Sequence, residues 1–179
     1  MSKTVDILAT AIRSAVNGEP FDNVVNKLKE LDEVKVKVWR EHESVKLPTY
    51  AKEGDACMDV YVHDIEMKSD GRVVYHTGLH FKLPDDYEME IRPRSSNTKT
   101  VAIMQNAPGT LDEGYTGELM IVHRNIDFPT IANPQYKIGD RCAQILVRRR
   151  ENIVWDEVTN IEDLGTTERG AGGFGSSGK

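Results

Sequence analysis

The chain has 179 residues, 39% of them hydrophobic, and a formal net charge of −6. That length supports one well-buried core rather than two large domains. The acidic balance excludes a general nucleic-acid binder, so any anion bound here must meet a local cluster of Arg and Lys.

From Lys3 to Val16 the apolar residues Val5, Leu8, Ile12, Ala15 and Val16 recur at helical spacing, and Gly18 with Pro20 supplies the stop. Phe21, Val24, Val25, Leu28 and Leu31 repeat the pattern. Residues 1–33 therefore read as a helical extension, each helix with an apolar stripe to bury against the domain, another subunit or an unidentified protein partner. The period then changes. Val34-Lys35-Val36-Lys37-Val38-Trp39 alternates apolar with charged residues, which predicts a strand with one face inward. Val73–Tyr75, His80–Leu83, Glu88–Arg92, Val101–Met104, Leu119–Arg124 and Ala143–Arg148 are further strands, punctuated by Gly, Pro and Asp-Asp turns. Residues 34–165 thus form an all-β sandwich, jelly roll or barrel, and residues 166–179 a flexible Gly/Ser-rich lid.

Cys57 and Cys142 lack CxxC spacing and nearby histidines, which argues for buried thiols rather than a zinc site or disulfide. His42, His63, His76, His80 and His123 are scattered without metal-ligand grouping, and Gly78 with β-branched neighbours makes His76 and His80 strand residues. Arg148-Arg149-Arg150 closes a strand as a solvated edge device. With no apolar run of transmembrane length and no signal-peptide pattern, the expected compartment is the reducing cytoplasm, with neither membrane nor nucleic acid as partner.

Five segments carry chemistry. Gly54-Asp55-Ala56-Cys57-Met58-Asp59-Val60 puts Asp59 at a strand edge, where a carboxylate can hold a hydrated divalent cation beside a triphosphate. Arg92-Pro93-Arg94-Ser95-Ser96-Asn97 packs guanidinium, hydroxyl and amide donors into one turn suited to phosphate oxygens. Asn106 to Glu118 looks like a hairpin with a Pro-Gly loop, whose backbone and Asn106 can pair with the edge of a planar base while Tyr115 lies under a sugar and Asp112 deprotonates water. Ile138-Gly139-Asp140-Arg141-Cys142-Ala143-Gln144 leaves Asp140 and Arg141 placed to pair and Gln144 free to donate to an oxyanion. The tail from Arg169 to Lys179 holds five glycines, one arginine, two serines and Phe174, a composition that wraps an anion and offers one ring face.

In this order and spacing the five segments resemble the five motifs of the trimeric dUTPase family, from about Pro48 to Gly178. The resemblance implies a jelly-roll β-sandwich, a homotrimer with shared active sites, Mg2+ as cofactor, and hydrolysis of dUTP to dUMP and pyrophosphate by water attack on the α-phosphorus. It implies Asp112 as the catalytic base and Asn106, Gly109, Leu111, Tyr115 and Phe174 at uracil and deoxyribose. Arg94, Ser95, Ser96, Gln144, Arg169, Ser176 and Ser177 would bind phosphate, and Asp59 the metal through water. Two positions depart from the family pattern: Cys57-Met58 stands where Gly-Tyr is usual, and Gly114 where a second acid is usual. A dCTP deaminase-type enzyme of the same superfamily and a nucleotide-gated regulatory binding protein are the alternatives.

Overall fold

The computed structural model describes residues 3–29, 33–127 and 129–172. Among these, the helices are α1 (Lys3–Val16) and α2 (Phe21–Lys29). The strands are β1 (Lys37–Arg40), β2 (Met58–Tyr61), β3 (Asp64–Met67), β4 (Arg72–Lys82), β5 (Tyr87–Arg92), β6 (Ala102–Met104), β7 (Gly109–Leu111), β8 (Glu118–Asn125) and β9 (Arg141–Arg149). They form two antiparallel sheets. One runs β1-β4-β8-β6 with β3 also on β4, and the other runs β2-β9-β5-β7.

Inward-facing residues of the paired strands build the core between the sheets. Leu119, Ile121 and His123 of β8 point inward with Met89 and Ile91 of β5 and Ala143 and Ile145 of β9, all 3% exposed or less. The two predicted strands Val73–Tyr75 and His80–Leu83 are one strand, β4, with a register shift between His76 and His80. Gly78 sits in that shift at φ +64, and a Cβ there would stand 2.7 Å from Val45 Cγ2, so the bulge needs glycine.

Three expectations need correction. The Val34–Trp39 strand begins later, at Lys37, and its valine face is only partly covered: Val38 is 41% exposed, and of the alternating valines Val36 alone packs on the core. Alternation marks an apolar face; it does not specify what covers it. The expected hairpin within Asn106–Glu118 is a crossover, since β6 pairs with β8 whereas β7 pairs with β5 in the opposite sheet. A period of two is the same in either sheet, so the pattern cannot choose between them. Finally, Cys142 is buried, its thiol pushed up to about 12 by desolvation, but Cys57 is only half-buried.

His123 lies 1% exposed between the rings of Tyr75 and Tyr136, with both ring nitrogens unpaired. Desolvation lowers its pKa to about 4. Below about 6.5 the unfolded chain binds a proton that the folded chain refuses, so stability falls as pH drops from about 6.5 to about 4, by up to about 3 kcal/mol. Urea midpoints measured between pH 7 and pH 4.5 will show that limb, and His123→Phe will flatten it.

Candidate functional site

The register of the second sheet aligns the sequence motifs. Asp59 of β2 is opposite Gln144 of β9, which is opposite Arg92 of β5, forming one row across three strands. At that end Asp59 is 8% exposed and accepts from Arg94 Nε at 2.7 Å and from Arg141 Nη1 at 2.9 Å. Arg94 Nη1 also donates to Ser96 Oγ at 3.1 Å and to the Arg141 carbonyl at 3.3 Å, and Gln144 Nε2 donates to the Pro93 carbonyl at 3.0 Å. Two guanidiniums therefore share one carboxylate, leaving a net positive charge, and Arg141, 45% exposed, turns unused donors outward. Ser95 opens the short helical turn Ser95–Lys99 beside them and is exposed.

Asp140 and Arg141 do not pair as expected. Asp140 Oδ2 accepts the Lys137 amide at 2.8 Å and closes its own turn, while Arg141 reaches across to Asp59. Neighbours at a strand start point to opposite faces, so an adjacent acid and base seldom meet. Arg141 is the exposed guanidinium at this turn that sequence reasoning did not place with Asp59, although Gly139-Asp140 marked the turn that aims it.

The second cluster is a cleft of about 320 Å³ between β7 and β8, lined by Asn106, Gly109, Leu111, Asp112, Tyr115 and other residues. Asp112 is exposed at its rim. The Asn106 side chain is held by β8, donating to the Met120 carbonyl at 2.8 Å and accepting from the Val122 amide at 2.9 Å. The loop's backbone, not that amide, is what remains to face a ligand. Tyr115 donates to the Glu118 carbonyl at 3.1 Å and folds its ring over Gly117, where a Cβ would lie 2.4 Å from the hydroxyl. Gly117→Ala therefore expels the ring; activity should fall about tenfold or more, with thermal stability little changed, because a misplaced contact group loses its orienting effect.

These clusters do not meet within one chain. Leu111 is opposite Met89, which sets Asp112 level with Glu88, about four residues along β5 from Arg92 or on the order of 13 Å at strand rise. Arg169 is exposed, its Nε donating to the Gly172 carbonyl at 3.1 Å. Phe174, Ser176 and Ser177 lie outside the described residues. Among the described residues no group of three or more His, Cys, Asp or Glu is arranged to hold a metal, and no helix is long and apolar enough to cross a membrane.

Two antiparallel sheets with an arginine-serine turn at one end and an acidic cleft at the other make up a β-sandwich. Residues 43–178 match the family model described as dUTPase, and the chain belongs to the dUTPase family. A deoxyuridine 5'-triphosphate nucleotidohydrolase of Fusobacterium nucleatum is 40% identical over 155 residues, covering 83% of this chain and 100% of that protein. One of Solibacter usitatus is 38% identical over 152 residues, covering 82% and 97%. Among solved structures, a Staphylococcus bacteriophage 80alpha dUTPase with dUpNHpp superposes with a TM-score of 0.64 at 23% identity, covering 81% of this chain and 99% of that one. A phage phi11 dUTPase described with a structural Mg(II) ion superposes at 0.57 and 19% identity, covering 72% and 99%, so both share the sandwich fold.

Proposed function

We propose that this chain hydrolyses dUTP to dUMP and pyrophosphate, working as a homotrimer whose active sites are each built from more than one copy. The observation that carries this is the separation of Asp112 and Tyr115 from Arg94, Arg141 and Gln144: each half lacks what the other holds, and a second copy supplies it. The segment after β9 supports the same assembly, because Val154, Trp155 and Ile161 are 83%, 87% and 75% exposed and need a covering surface. The N-terminal extension 1–33, the β domain 34–165 and the lid 166–179 remain the proposed divisions.

In this reading the Asp112 carboxylate orients a water and takes its proton as the water oxygen bonds to the α-phosphorus, whose bond to the bridging oxygen breaks to release pyrophosphate. Arg94, Arg141 and the Ser95-Ser96 turn offset charge developing on the phosphates, with Asp59 fixing both guanidiniums. Gln144 is placed to join them by turning its amide from Pro93. The backbone of Asn106, Gly109 and Leu111 reads uracil, and Tyr115 packs under deoxyribose. Arg169, Phe174, Ser176 and Ser177 close over the bound nucleotide. Mg2+ fits this site as an ion carried by the triphosphate: the described residues offer no all-protein cage, and Asp59 keeps lone pairs beyond the two its arginines use, enough to accept from metal-bound waters. When bound, the ion neutralises phosphate charge.

Purified protein given dUTP, UTP, dCTP and dTTP with magnesium tests the reading. Pyrophosphate and dUMP from dUTP alone is the expected result. Ammonia from dCTP would make it a deaminase, and nucleotide binding without turnover a regulatory binder.

A further inference from the structure

The cleft's rim is held from behind by β4. Lys82 Nζ donates to the Glu113 carbonyl at 2.8 Å, and His80 Nδ1 stands 2.9 Å from the Thr116 carbonyl, so two β4 side chains grip the backbone that joins Asp112 to Gly117. The other nitrogen of His80, Nε2, lies 2.9 Å from Glu41 Oε1. Both partners are acceptors only. An imidazole satisfies two acceptors only when both nitrogens carry protons, so the ring is an imidazolium in this geometry. Trp39, its cross-strand partner on β1, sets an indole 5.0 Å away, tilted 54° to the imidazole. On its other side stands Glu118, which accepts from the Gly78 amide at 2.8 Å and pairs with His76 at 2.8 Å; His76 in turn faces Glu66 of β3 at 3.5 Å.

We propose that His80, backed by Lys82, is a positioning residue for Asp112 and Tyr115: donating from both ring nitrogens to Glu41 and to Thr116, it clamps their loop, and it releases the loop when it loses a proton. The proposal rests on the hydrolase reading above, because it assigns the loop its catalytic importance. A neutral ring keeps one N–H, and the carboxylate is the stronger acceptor, so the bond to Thr116 is the one lost and a lone pair is left facing the carbonyl. Glu41 first, and the Thr116 carbonyl second, hold the imidazolium to higher pH than an ordinary histidine, against a smaller opposing effect of burial. Release therefore comes on the alkaline side of the usual histidine range.

The test follows kcat for dUTP and tryptophan emission across pH in the wild type, His80→Asn and Glu41→Gln. A protonated imidazole quenches the neighbouring indole, so wild-type emission should rise on deprotonation while kcat falls at the same midpoint. His80→Asn should lose the emission step, which separates Trp39 from Trp155, and should lose the matching step in kcat. Below the midpoint its kcat should be about three- to tenfold lower with KM changed less, as expected when an orienting contact and not a ligand contact is removed. Glu41→Gln keeps the ring but removes its counter-charge, so both midpoints should move to lower pH. Matching kcat profiles in wild type and His80→Asn, or midpoints unmoved in Glu41→Gln, overturn the clamp. If the wild type does not hydrolyse dUTP, the functional reading fails by itself. The clamp is then judged by emission and by hydrogen exchange of amides 113–117, which, corrected for base catalysis, must rise over the same pH span in the wild type and not in His80→Asn.

Discussion

Asp112→Asn and Arg94→Gln chains, each nearly inactive alone, are expected to regain activity when assembled together. Asp112→Asn keeps the shape of the side chain and removes its basicity, which should lower kcat by about 10²- to 10⁴-fold while nucleotide binding survives. Arg94→Gln keeps an N–H for the buried Asp59, 2.7 Å from the native Nε, but removes the charge at the phosphate turn. Because Asp112 and Arg94 sit at opposite ends of β5, a site built across copies takes one from each. Random mixing of equal amounts then leaves about one site in four with both residues native, so roughly a quarter of wild-type activity returns. Pyrophosphate release from co-expressed chains reads this directly. Mixtures no more active than their parents would place both residues in the site of a single chain and remove the reason for a shared assembly.

Tyr75→Phe should cost about 2–4 kcal/mol of folding stability, because it leaves buried amides without an acceptor. Tyr75 is fully buried, and its hydroxyl accepts from the Gln135 amide at 2.8 Å and the Tyr136 amide at 3.3 Å. The ring itself is edge-on to Tyr136 at 5.5 Å and fills the core in either variant. Tyr136 donates to Asn97 Oδ1 at 3.4 Å, within the turn that follows Arg94 and Ser95. Loss of the hydroxyl should therefore loosen the phosphate turn as well, raising KM at temperatures where the protein remains folded. Chemical denaturation at pH 7 gives the first quantity and steady-state kinetics the second. A variant as stable as the wild type would show that the 135–136 amides find other partners.

Much of the molecule was legible in the residues themselves. Leu8, Ile12 and Val16 marked α1, because local geometry converts spacing into a face, and the segment Leu119–Arg124 marked the strand β8. The short strands were harder. β3 and β7 run only Asp64–Met67 and Gly109–Leu111 and carry too few periods to stand out from a loop. The motifs named chemical groups, since an arginine-serine turn or an acid in a Gly-rich loop carries its donors and acceptors wherever it folds.

What the amino-acid order determined by itself is the set of elements and the chemical groups on them: a helical pair, a run of β-strands, an arginine-serine turn and an acidic loop. Only the tertiary structure decided which groups meet. It sent β7 to the sheet opposite β6, drew Arg141 to Asp59 instead of to its neighbour Asp140, set Asp112 far from Arg94, and fastened the acidic loop to His80 and Lys82. The physical reason is that spacing sets which way a side chain points relative to its own backbone, whereas its partners come from strand register and sheet choice, which many distant contacts settle together.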